Sequence, residues 1–146
     1  MKMSIRAVLM GTIFAAAGML ATGQASALSA VNGTVTNNSG VSATVSSPTC
    51  QGSLFPAPGG VNNGGVYTFT ATSATSTSNG CTVRITRSDN LRVCNWVLNR
   101  LRSSLTGPWN LPTIDQTSSS TGVTCTNSIS NVQTNGNWTA TLQIAP

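Results

Sequence analysis

The chain has 146 residues, with seven Lys or Arg against two acidic residues and no histidine. Both acidic residues are Asp, so glutamate is absent as well. That inventory excludes the usual acid–base catalysts and leaves no imidazole to complete a zinc shell.

The N-terminus reads as an export signal. Lys2 and Arg6 form a short positive start, Val8 to Ala21 is an uncharged run of apolar and small residues, and Ala25-Ser26-Ala27 gives a small-x-small cleavage pattern. The apolar run is shorter than the ~20 residues that a spanning helix needs. A signal peptide over 1–27 and a secreted domain over 28–146 are therefore expected. The first cysteine is Cys50, so lipid attachment at the cleavage site is disfavoured. No second apolar stretch follows, and no membrane insertion is expected. The predicted location is extracellular or periplasmic. The exported part keeps five Arg and two Asp, a net charge of +3.

In chain order, Val31–Val35 and Val41–Val45 alternate with period two around Asn37-Asn38-Ser39-Gly40, which predicts a hairpin. Residues 47–65 are rich in Pro and Gly and read as a loop. Val66–Thr72 is a strand with Tyr67, Phe69 and Ala71 on one face. Residues 72–80 form a Ser/Thr-rich connection. Cys81–Arg87 alternates again, with Cys81, Val83 and Ile85 facing one way. Ser88-Asp89-Asn90 is the following turn, and Leu91–Leu98 the returning strand. Leu91, Cys94, Leu98, Leu101 and Leu105 also fit a helical stripe with Asp89 as N-cap. The strand is favoured for 91–98, and 99–105 stays open. Residues 106–112 break regular structure, and 113–122 form a polar connection. Val123–Ile129 and Trp138–Ile144 close the chain as strands, with Asn135-Gly136 between them as a type I′ turn signal. Trp138, Ala140, Leu142 and Ile144 share an inner face.

Four cysteines in an exported chain imply two disulfides, in one of three connectivities. A turn at Asp89-Asn90 sets Arg87 opposite Arg92, Ile85 opposite Cys94 and Cys81 opposite Leu98. That register disfavours a Cys81–Cys94 bridge, and Cys50–Cys81 with Cys94–Cys125, each closing a long loop, is the favoured pairing. Several short alternating strands with turn signals between them predict an all-β, single-domain antiparallel β-sandwich with two disulfides.

No catalytic residues, metal site or cofactor are expected. The serines and threonines have no base to activate them, and Asp89 is explained by its turn. The protein is therefore expected not to be an enzyme. The distinctive residues are Arg84, Arg87, Arg92, Arg100 and Arg102, with Trp109 in a loop after Gly107-Pro108. They suit an anionic polymer, with tryptophan stacking. They equally suit simple solubility, with Trp96 and Trp138 as core.

The order Cys94 … Gly107-Pro108-Trp109 … Cys125 … Trp138, the Ala-Ser-Ala ending of the signal and the Ser/Thr-rich strands resemble small secreted proteins of Gram-negative bacteria described as activators of alkane oxidation. The resemblance covers about a third of the chain, and the arginine-rich stretch 84–102 departs from it. It implies an extracellular, surface-associated accessory protein and transfers no site residues. The expected function is non-catalytic binding to an extracellular polymer, anionic or glycan, or to another cell-surface component. One alternative is a self-associating structural subunit that uses its last strand, Trp138–Ile144, for β-edge pairing. Another is an inhibitor of an extracellular hydrolase acting through the Phe55–Gly65 loop.

Overall fold

A computed structural model describes residues 28–47 and 49–146. The expected signal peptide lies outside the described residues. The described chain forms ten strands: β1 (Ala30–Asn37), β2 (Ala43–Ser46), β3 (Gly52–Phe55), β4 (Gly60–Val61), β5 (Val66–Ser73), β6 (Ser78–Arg87), β7 (Val93–Leu101), β8 (Thr113–Ser119), β9 (Thr124–Ser130) and β10 (Trp138–Ala145). They make two five-stranded sheets, sheet A in the order β3-β5-β1-β10-β9 and sheet B in the order β4-β2-β6-β7-β8. The fold is an all-β sandwich. All pairings are antiparallel except β1 with β10, which run parallel.

Period-two alternation builds the core. Val31, Val35, Phe69, Ala71, Trp138, Leu142 and Ile144 point inward from sheet A, and Val45, Val83, Ile85, Trp96 and Leu98 from sheet B. Trp96 and Trp138 are both core residues, among the largest buried side chains. The hairpin of β6 and β7 has the expected register, with Cys81 opposite Leu98 and Ile85 opposite Cys94. The disulfides are Cys50–Cys81 and Cys94–Cys125. Cys94–Cys125 crosses from β7 in sheet B to β9 in sheet A, whereas Cys50 lies beside β6 and bridges to the directly opposite Cys81. Residues 49–51 first bond to β6, through Gln51 N to Gly80 O and Thr82 N to Thr49 O, before the chain enters sheet A as β3. Two structural disulfides fit an oxidising compartment. Among the described residues, no helix is long and apolar enough to cross a membrane.

Several expectations change. β1 and β2 are not a hairpin, because they belong to different sheets. The buried Asn37 amide turns the chain. Its Nδ2 donates to Val41 O at 2.8 Å and Val61 O at 2.9 Å, and its Oδ1 accepts from the Ser39 backbone and hydroxyl. A buried amide satisfied at all these points fixes one chain path. Residues 47–65 are not simply a loop, since they carry the short edge strands β3 and β4. Residues 93–101 are strand, and the helical alternative falls. The polar stretch 113–122 contains β8. It lacks alternation because, as an edge strand, it buries almost nothing, Ile114 being partly covered. The β9–β10 connection is longer than a two-residue turn: Ser130 pairs with Thr139, and positive φ falls on Asn131 and Gly136. Finally, Trp138–Ile144 is no free edge, because β10 lies between β1 and β9.

Gly33 shows how tight the core is. A Cβ built there would sit 2.0 Å from Phe69 Cζ, inside the ring's own volume. Gly33→Ala should destabilise the domain by about 1–3 kcal/mol through overpacking, measured by urea unfolding of the oxidised protein. Adding Phe69→Leu should recover part of the loss, since it removes the clashing ring edge.

Candidate binding face

The outward residues of sheet A form a lattice set by strand register. One row runs Phe55–Thr70–Asn32–Thr139–Ser130 across all five strands. The next runs Thr68–Thr34–Thr141–Ser128, and the third Val66–Thr36–Gln143–Thr126. Apart from Phe55 and Val66 these positions are Ser, Thr, Asn or Gln. Neighbours stand about 4.8 Å apart between strands and about 6.7 Å apart along them. Thr70 donates to Asn32 Oδ1 at 2.9 Å, so adjacent strands are linked on this face.

Two shallow depressions share Asn32 and Thr139. One, of about 370 Å³, is walled by Phe55, Pro56, Thr68 and Thr70. The other, also about 370 Å³, continues past Asn131, Gln133 and Asn137. Phe55 is 77% exposed and stands at the rim. The backbone beside it is held by a hydrogen bond from the Tyr67 hydroxyl to Pro56 O. A further depression, of about 270 Å³, lies on sheet B among Thr49, Gln51, Thr82, Val97 and Asn99, and no aromatic ring lines it.

Charge is absent from sheet A. Every charged side chain among the described residues falls between Arg84 and Asp115, on β6, β7, β8 and their connections. The five arginines do not form one patch. Arg87 holds Asp89 through Nε to Oδ1 at 3.0 Å and through Nη2 to Oδ2 at 2.7 Å. That hydrogen bonding keeps the Asp89 carboxyl below its ordinary value. Arg92 sits opposite Arg87 at the hairpin tip, yet its guanidinium turns to Gly122 O at 2.9 Å. The two like charges are thus separated by an acceptor and an anion from the same chain. Arg84 is exposed on the outer face of β6.

Arg100 and Arg102 lie at the other end of β7. Arg100 is only 4% exposed and donates to Asn110 O and Asn137 O, both at 2.9 Å. Burial pushes its pKa down from the usual guanidinium value. Arg102 donates to Ser76 O and lies over the Trp109 ring at 4.8 Å. Trp109 lies in the loop after Gly107-Pro108 as expected, yet it is half-buried rather than exposed. Its ring rests against Gly136, where a Cβ would come within 2.5 Å of Trp109 Cε2. Trp109 therefore packs the β9–β10 loop onto the end of β7. A small depression of about 230 Å³ beside it is lined by Arg100, Pro108, Val132 and Gln133.

The outer-face residues of sheet A were not singled out from the sequence. The available signal was alternate Thr, Ser and Asn positions without charge, but only pairing shows that four strands align them in one surface. Asn37, which begins an Asn-Asn-Ser sequon, has its side chain enclosed, whereas Asn32 of Asn-Gly-Thr stands on the lattice.

Arg100 and Arg84 should respond differently to truncation. Arg100→Ala removes a buried side chain, takes the donor from Asn110 O and one of two donors from Asn137 O, and should cost about 2–3 kcal/mol. Arg84→Ala should stay within about 0.5 kcal/mol of the parent. Urea denaturation of the two variants measures the contrast. Compared with known proteins, the chain matches no family model and no curated sequence.

Proposed function

We propose that the protein is a secreted, non-catalytic accessory protein that binds a neutral glycan polymer through the outer face of sheet A. The observation that carries this reading is the charge-free lattice of hydroxyl and amide groups, rimmed by the exposed ring of Phe55. Hydroxyls and amides both donate and accept, which matches the mixed donor–acceptor edge of a sugar. An exposed aromatic ring adds an apolar platform for the faces of sugar rings. The sheet twists by about 20–25° per strand, so the lattice follows a single pliable chain better than a flat crystalline surface.

An anionic polymer is the weaker partner. Its attraction would need arginines free to reach phosphate or carboxylate. Arg87, Arg92, Arg100 and Arg102 instead donate to acceptors of their own chain. The resemblance to secreted alkane-oxidation activators points the same way, toward a surface accessory protein outside the cell.

The test is affinity electrophoresis of residues 28–146, oxidised, through gels carrying dextran, galactan or soluble cellulose derivatives, with alginate and heparin as anionic controls. Retardation by a neutral polysaccharide is expected, and it should persist at about 1 M salt, where exposed charges are screened within about 3 Å. Phe55→Ala should weaken binding about tenfold, equivalent to about 1.4 kcal/mol, without moving the melting temperature, because the ring is exposed. Retardation by the anionic polymers alone, abolished by salt and indifferent to Phe55→Ala, would refute the proposal.

A further inference from the structure

Four strands form the edges of the two sheets, and three of them are guarded. β3 has four residues and runs into Pro56. β4 has two residues. β8 carries Asp115, and its pairing with β7 shifts register at Asn95/Trp96. Short length, proline, inward or flanking charge and bulges are the usual devices against edge-to-edge association. β9 has none of them. It runs seven residues, Thr-Cys-Thr-Asn-Ser-Ile-Ser, with no proline and no charge, and its pairing with β10 is unbroken from Thr124 to Ser130.

The chemistry of β9 is a palindrome about Asn127. Thr124 and Thr126 on one side answer Ser130 and Ser128 on the other. Cys125 answers Ile129. The inner side of the strand is also uncovered beyond its disulfide. Asn127 and Ile129 pair with the inward-facing Leu142 and Ala140, yet both are exposed, Ile129 by 38%.

We propose that β9 is the interface of a homodimer, in which two copies pair antiparallel about a two-fold axis through Asn127. The occupant of the edge is a second copy because only antiparallel self-pairing matches every position. Hydroxyl meets hydroxyl at Thr124–Ser130 and Thr126–Ser128, apolar Ile129 meets Cys125, and Asn127 meets itself. An isologous interface of this kind closes after two copies. Pairing of this parity keeps the outward residues outward. Sheet A and its mate become one ten-stranded sheet, and the lattice of Ser and Thr continues across the axis. The interface needs no polymer and does not depend on the glycan reading.

The experiment is analytical ultracentrifugation of oxidised residues 28–146 across the micromolar range, with no polysaccharide present. The parent should pass from monomer to dimer as concentration rises. Hydrogen exchange should show the amides of Thr124–Ser130 slowing in step with the dimer. Thr126→Lys with Ser128→Lys places like charges opposite each other across the axis. That variant should remain monomeric with an unchanged circular dichroism spectrum. Asn127→Asp, a smaller change, should lower the dimer fraction at neutral pH, while Phe55→Ala should dimerise as the parent does. A parent that stays monomeric throughout, open-ended oligomers, or dimers unaffected by both β9 variants would overturn the proposal. Loss of glycan binding by Phe55→Ala with dimerisation intact separates the two ideas.

Discussion

The pairing of β1 with β10 holds the sandwich together. These strands run side by side and parallel from Val31–Trp138 to Asn37–Ile144, joining the two ends of the described chain. Without that pairing, sheet A splits into the three-stranded β3–β5–β1 piece and the β9–β10 hairpin, and a ribbon of two strands is marginal in water. The contact also closes the longest loop among the described strand pairings, at a high entropic cost. The neighbouring connections serve it. Asn137 Oδ1 accepts from Ala30 N at 2.8 Å, Asn38 N donates to Ile144 O at 2.9 Å, and Arg100 grips Asn137 O from sheet B.

Once β1 and β10 occupy the middle of sheet A, the remaining design follows from a shortage of charge. A domain with five Arg and two Asp cannot cover its surface with Lys and Glu. Its outer faces are solvated by hydroxyls and amides instead, which suit the pleated backbone and pair across strands. The few charges are gathered on β6–β8, where most serve the fold: Arg87 with Asp89 shapes the hairpin tip, and Arg100 donates to Asn110 O and Asn137 O, tying the β7–β8 connection to the start of β10. The disulfides tie the ends of edge strands to the buried core. Cys50–Cys81 fixes the entry to the edge strand β3, and Cys94–Cys125 fixes the start of the edge strand β9. Each joins cysteines 31 positions apart, worth about 3–4 kcal/mol in the chain-entropy view. In a domain of this size that is a large share of the net stability.

Alternation is a local property, so the sequence by itself determined the inward faces. Val31 and Val35, Phe69 and Ala71, Val83 and Ile85, and Trp138 to Ile144 are buried as their period-two spacing requires. The turn at Asp89-Asn90 was also local, and it carried the β6–β7 register and with it the exclusion of a Cys81–Cys94 bridge. The charge inventory was equally plain, though where each guanidinium would find its acceptor was not. Beyond the β6–β7 and β9–β10 hairpins, tertiary structure decided which strands are neighbours. β1 left β2 for β5 and β10, β10 moved from an assumed edge to the interior, and residues 52–55 of the Pro/Gly-rich stretch and the polar 113–119 became strands because a neighbour offered them a ladder. The physical reason is that a side-chain pattern says which residues share a face, whereas strand pairing is made by backbone groups identical at every position. The Thr and Ser lattice of sheet A belongs to that second kind of information: its members lie on four separate segments, and only pairing brings them into one surface.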